Sequence, residues 1–153
     1  MRSKAFILAA LGMLLLAGIA VAEPQTRFPP EFVSQLLRSK ELYVATQRQD
    51  GKRSAVAPVW FGVVDETIWF ATRTGSYKAK RVQRGSPVFV SVQGKDGPFI
   101  ETKAEIVTDG AMADRLGKIY SQKYWLAWLG MFRPGREKIE AAKDVLIHLT
   151  PAP

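Results

Sequence analysis

The sequence predicts a mainly β protein with helices, a small six-stranded antiparallel barrel with helices at its periphery. Three observations carry this. Short segments rich in β-branched and aromatic residues recur along the chain, and Asp-Gly and similar turn pairs join them. The helical patterns are too few to alternate with the strands, which excludes a parallel βαβ sheet.

The elements follow in order. "PPEFVSQLLRSK" (29–40) reads as a helix, because prolines suit its entry and Phe32, Val33, Leu36 and Leu37 share one face. "ELYVATQRQ" (41–49) alternates as a strand, "DGK" turns, and "RSAVAPVWFGVV" (53–64) returns as one strand that Pro58 places at an edge or a bulge. "DE" turns into "TIWFAT" (67–72), completing a meander. Ser76 can cap a short helix running to about Arg84. Strands follow at 88–93 and 99–107, then a longer helix from about Gly110 to Leu129. "FRPGRE" breaks that pattern, and "DVLIHLT" (144–150) closes the barrel.

The chain divides into a signal peptide (1–22), an N-terminal segment and helix (23–40) and the barrel (41–150). Arg2 and Lys4 precede an uncharged apolar run over residues 5–20, and Ala20, Val21 and Ala22 supply a cleavage site. Sixteen apolar residues span about 24 Å as a helix, short of the roughly 30 Å of a hydrocarbon core. The expectation is an exported protein, periplasmic or secreted, with an uncleaved membrane anchor as the alternative. Cleavage removes 22 of 153 residues and two of the 22 basic ones, leaving 20 basic against 14 acidic side chains, a charge of +6. That balance favours anionic ligands or surfaces. No cysteine is present, which excludes disulfides and thiolate chemistry, and with one histidine a His/Cys metal site and a Ser–His–Asp triad have no supporting constellation.

"TRTGSYKAKR" (72–81) gathers Arg73, Lys78, Lys80 and Arg81 around a glycine-bearing bend. Cations in a first helical turn oppose the helix dipole, costing a few tenths of a kcal/mol each, roughly, unless an anion offsets them. A phosphate would do so, and a merely solvated basic helix is the other reading. In "YWLAWLG" (124–130), Trp125 and Trp128 share a helix side. They read as packing on the barrel or across a dimer, as a lid over a ring-shaped ligand, or as a belt on a membrane surface. His148 reads as a half-exposed strand residue, and Glu101 and Glu105 as solvent-facing partners of Lys103.

The run "LYVATQRQDGKRSAVAPVWFGVVDETIWFATRTGSYKAKRVQRGSPVFVSV" resembles the pyridoxamine 5′-phosphate oxidase-like family of FMN-binding split β-barrel proteins. The resemblance rests on an "LxVAT…DG…PVWF" hairpin, then "IWFAT", then a serine and lysine opening a short helix. It implies a homodimer with two cofactor sites at the subunit interface, holding FMN or, in some branches, the 8-hydroxy-5-deazaflavin coenzyme. It places Pro58, Val59, Trp60 and Phe61 along the ring, and Thr72, Arg73 and Thr74 beside the ring and ribityl chain. Ser76 and Lys78 match phosphate contacts, with Lys80 and Arg81 in support and Gln93 beside the site. The chain ends "LTPAP", without the Arg-x-Pro that family oxidases acting on pyridoxamine phosphate carry, and "MRSK" has no twin arginine.

These readings imply an oxidoreductase using flavin hydride chemistry on an unknown small-molecule substrate, with no catalytic side chain assigned. The alternative is a non-catalytic periplasmic binder of haem, flavin or another planar anion. A basic module for lipid or nucleic acid ranks last, so no nucleic acid is expected, and membrane contact only through the N-terminal segment.

Overall fold

The computed structural model describes residues 26–153, so the signal-peptide expectation lies outside the described residues. Helix α1 (Pro30–Arg38) opens the described chain, and its Phe32 and Leu36, one turn apart, are buried. Strand β1 (Leu42–Thr46) leads through the Gly51 turn, where φ is +78°, to β2 (Ala57–Val59) and β3 (Gly62–Val64). Asp65 and Glu66, both at positive φ, make the two-residue turn into β4 (Thr67–Arg73). Helix α2 (Tyr77–Gln83), β5 (Val88–Ser91) and β6 (Ile100–Val107) follow. The chain ends through α3 (Gly110–Lys123), α4 (Trp125–Trp128), α5 (Arg136–Glu140) and β7 (Asp144–Pro151).

The strands form one antiparallel sheet in the order β2-β1-β5-β6-β7-β4-β3. Its two edge strands are consecutive in the chain, separated only by Trp60 and Phe61. The sheet therefore curls until one edge runs directly into the other. This is the expected barrel with seven strands in place of six, because the segment expected as a single strand divides between two neighbours. Val59 pairs with Leu42 of β1, whereas Gly62 pairs with Trp69 of β4.

Between them the backbone has no strand partner, and side chains from α3 and its end supply its hydrogen bonds. Tyr120 donates its hydroxyl proton to the Trp60 carbonyl (2.6 Å), and the Phe61 N–H donates to the Tyr124 hydroxyl (3.0 Å). Tyr124 in turn donates to the Lys40 carbonyl at 2.8 Å. Buried polar backbone is thereby satisfied where the chain passes from β2 to β3.

Two apolar clusters hold the fold. The barrel interior contains Phe61, Phe70, Leu42, Val90, Ile147 and Leu149, and Phe28, Phe32 and Leu36 close one end. Each fully buried large side chain contributes about 1.5–3 kcal/mol relative to exposure. The second cluster lies outside the sheet, where Leu116, Tyr120 and Tyr124 pack on Val64, Trp69 and Leu146. Gly62 permits that approach: a Cβ there would stand 2.7 Å from Leu116 Cδ1.

The long helix expected to about Leu129 is interrupted at Tyr124, whose φ of −125° and ψ of 121° are extended. That turn of the backbone is what carries the Tyr124 hydroxyl to Phe61. The short helix α5, read from sequence as a break, begins just after Pro134 and Gly135.

Candidate functional site

Strand β4 ends at Arg73, the chain bends at Thr74 and Gly75, and Ser76 caps α2 by accepting the Ala79 N–H at 3.1 Å. The bend is pinned to the residues that lead into the neighbouring strand β7. Thr74 donates from its N–H to the Lys143 carbonyl (3.0 Å) and from its hydroxyl to the Ala142 carbonyl (2.8 Å). Thr72 donates its hydroxyl to Ser76 Oγ at 3.0 Å. Since Ser76 Oγ accepts two bonds, its own proton is free to donate outward.

Ser76 stands between two clefts. One, of about 880 Å³, is lined by Thr72, Arg73, Thr74 and Ser76 on one side and by Phe132, Lys138 and Lys143 on the other. The other, of about 680 Å³, joins Ser76, Lys78 and Arg81 to Thr46, Arg48 and Ser54 of the first hairpin. Arg81 is held there by donating to Thr46 Oγ1 at 3.1 Å, which bonds on to Ser54 Oγ at 3.3 Å. The Arg81 guanidinium also lies 5.3 Å from the Tyr77 ring centroid.

The electrostatics of the second cleft are one-sided. Among the described residues, Arg48 pairs with Asp50, but neither Lys78 nor Arg81 meets a carboxylate. Lys78 is half-buried, and burial together with the neighbouring Arg81 guanidinium pulls its pKa below the ordinary lysine value. Two unpaired cations, an arginine shared with Asp50 and a free serine proton are a donor set suited to a dianion.

The twelve residues considered from sequence do not all meet. Thr72, Arg73, Thr74 and Ser76 share the first cleft, and Ser76, Lys78 and Arg81 the second. Lys80 is exposed and borders a smaller hollow with Arg81 and Arg84. Pro58 is exposed on β2 beside Ala57 of the second cleft, and Val59 packs on the barrel core. Trp60 lies in a separate hollow of about 380 Å³, stacked on Tyr124 at 4.4 Å. Phe61 is fully enclosed in the core, and its backbone N–H donates to Tyr124. Gln93 is exposed just beyond β5. Sequence reasoning missed Arg48, Ser54, Phe132, Lys138 and Lys143, which arrive from distant segments. Only the basic character of "TQRQ" hinted at Arg48.

His148 is half-buried on β7, as expected, stacks on Trp69 at 4.0 Å and lies 3.0 Å from Thr67 Oγ1. Lys103 and Glu105 are paired at 3.2 Å on the exposed face of β6. No group of three or more His, Cys, Asp or Glu residues suited to a metal occurs among the described residues.

A curled antiparallel sheet whose edges meet, flanked by helices and bearing a cationic cleft where β4 gives way to α2, defines the split-barrel class of proteins. Residues 28–152 match the family described as Pyridoxamine 5′-phosphate oxidase, and the chain belongs to that family. No curated protein matches it. Among solved structures, a conserved hypothetical protein from Mycobacterium tuberculosis is 21% identical, with 84% of this chain and 83% of that one covered at a TM-score of 0.62. An F420 reductase is 25% identical over 82% of this chain and 97% of that one, with a TM-score of 0.55. An FAD and heme binding protein from Mycobacterium smegmatis is 19% identical over 81% and 67%, also with a TM-score of 0.55.

Proposed function

We propose that the protein binds a flavin through its phosphate in the second cleft and is an exported, homodimeric oxidoreductase acting on a small molecule. The observation that carries this is the half-buried Lys78 beside Arg81, two cations without a carboxylate in a concave site shared with Ser76. Such an arrangement is unfavourable in the free chain, and a phosphate neutralises it. Family membership supports the same reading, as do the F420 reductase and the FAD and heme binding protein among similar structures.

FMN is the first choice of cofactor and the deazaflavin coenzyme the second. Lys78, Arg81 and the Ser76 hydroxyl would hold the phosphate. Thr72, Arg73 and Thr74 would flank the ring and its tail from the adjoining cleft. A bound flavin supplies hydride transfer at its ring, and the protein contributes orientation and electrostatics. A second subunit would cover the open side of the first cleft. The haem alternative has less support, because the chain's one histidine is already engaged by Trp69 and Thr67.

Titration of the purified protein with FMN, followed by flavin fluorescence, tests the reading. Saturable binding that Lys78→Ala weakens by about 10- to 150-fold is the expected result, the equivalent of about 1.5–3 kcal/mol for a charge-assisted hydrogen bond. Equal affinity in the variant rejects the assignment of Lys78, and a Soret shift with haemin in place of flavin binding favours the alternative.

A further inference from the structure

Helix α4 has two faces of opposite character. Tyr124 and Ala127 are buried in the cluster beneath α3, which anchors the turn to the barrel. Trp125, Trp128 and Leu129 project the other way, and Trp125 and Trp128 are 72% and 71% exposed. Met131 and Phe132 continue the patch, with Phe132 at 72%. Five large apolar side chains within eight residues are thus presented to solvent, which folded domains seldom do without a partner surface.

The projection is built into the backbone. Gly130, at φ +88°, ends the helix in the left-handed region. Its N–H donates to the Ala127 carbonyl (2.9 Å) and the Met131 N–H to the Leu126 carbonyl (3.0 Å), the paired bonds of a Schellman cap. The turn therefore holds its tryptophans outward as a defined shape.

Charge surrounds the patch on one side only. Residues 115–136 contain Arg115, Lys118, Lys123, Arg133 and Arg136 and no Asp or Glu. Arg115 and Arg136 are spent on Asp65, Asp114 and Glu140, but among the described residues Lys118 and Arg133 form no ion pair. Both line a hollow of about 610 Å³ with Ser121, Gln122 and Asp114, between α3 and the segment after the patch, the Asp114 carboxylate being paired with Arg136. An apolar tip rich in tryptophan, bordered by unpaired cations, matches the boundary between acyl chains and anionic headgroups.

We propose that the 125–132 turn is a membrane-docking surface, inserting Trp125, Trp128 and Leu129 into an anionic bilayer while Lys118 and Arg133 meet lipid phosphates. This gives the folded domain its own lipid contact, beyond that expected of the N-terminal segment. Phe132 also lines the larger cleft, so the docking turn borders that cleft.

The test uses the full chain with phosphatidylglycerol vesicles whose acyl chains are brominated. Bromine quenches only tryptophans that enter the bilayer, so an anchored N-terminus does not mimic the signal. Wild type is expected to show quenched, blue-shifted emission, weaker on phosphatidylcholine vesicles. Trp125→Ser with Trp128→Ser should abolish most of the quenching, because Trp69 is buried and the half-buried Trp60 is stacked on Tyr124 behind the turn, with circular dichroism unchanged. Lys118→Gln with Arg133→Gln should reduce it on phosphatidylglycerol alone. Absence of quenching overturns the proposal, as does quenching equal on both lipids. So does conversion of a dimer to a monomer by the tryptophan variant in sedimentation, which would assign the patch to a second copy of the chain.

Discussion

The backbone N–H of Phe61 donates to the hydroxyl of Tyr124, sixty-three residues away, at 3.0 Å. Tyr124 donates a hydrogen bond to the Lys40 carbonyl, so one phenol ties the strand interruption to the segment before β1. Burial pushes its pKa up to about 12, in keeping with a phenol that stays protonated. Tyr124→Phe leaves the buried Phe61 N–H without an acceptor and should destabilise the fold by about 1–3 kcal/mol. Urea unfolding of the two proteins checks this, and an unchanged midpoint would remove Tyr124 from its role at the closure.

Lys123 reports on the same junction through pH. Its ammonium lies 3.3 Å from the Phe61 ring centroid, and burial, with Lys40 nearby, lowers its pKa to about 8. The unfolded chain keeps this lysine protonated to about pH 10.4. Between these values the unfolded state binds more protons, so stability rises with pH from about 8 upward. Above pH 10 the raised pKa values of Tyr120 and Tyr124 act in the opposite sense, since the unfolded phenols ionise first. Denaturation midpoints at pH 7 to 9.5 should climb for wild type and climb less for Lys123→Met, where Lys78 is left as the lysine with a lowered pKa.

Most strands are legible in the sequence because each carries its own signal. "TIWFAT" alternates against the barrel interior, and "DG" supplies a turn residue for positive φ. The division at Trp60 and Phe61 has no local signal, since it depends on hydroxyls from Tyr120 and Tyr124 far along the chain. Asp65 and Glu66 are legible as a turn, although only Asp65 is of a type that often adopts positive φ. The site divides the same way. Lys78 and Arg81 are visible as charge gathered at a bend, whereas Arg48 and Ser54 reach the cleft only through the pairing of β1 with its neighbours. Phe61 shows the converse: a motif position suggests a ring contact, and the barrel claims the side chain for its core.

Gly62 offers a test of the contact between sheet and helix. A methyl group there would stand 2.7 Å from Leu116 Cδ1 and 3.0 Å from Ile119 Cγ2, and Leu116 is fully buried. Gly62→Ala should therefore cost about 1–3 kcal/mol through overpacking. Leu116→Ala in the same chain should cost less than it does alone, because each change makes room for the other. Strict additivity of the two in denaturant unfolding would show that α3 does not rest on this glycine.

His148 makes stability sensitive to mild acid. Burial lowers its pKa below the ordinary value, with Glu105 opposing, while the unfolded imidazole titrates near pH 6.5. Below pH 6.5 the unfolded state takes up the proton first, so stability falls as pH drops toward the folded value. His148→Gln should flatten unfolding midpoints between pH 7 and 5 relative to wild type. A parallel decline in both proteins would assign the acid sensitivity to other groups.

The two cations of the second cleft separate folding from ligand binding. Lys78 makes no hydrogen bond or ion pair among the described residues, and Arg81 opposes its charge. Replacing it with methionine removes a desolvated charge and keeps the aliphatic stem, so the free protein should melt at the same temperature or higher. The same variant should lose flavin affinity, and the thermal stabilisation that saturating FMN gives wild type should shrink with it. A lysine needed for the fold behaves otherwise: Lys78→Met would lower the melting temperature of the free protein, and the phosphate assignment would lose its physical basis.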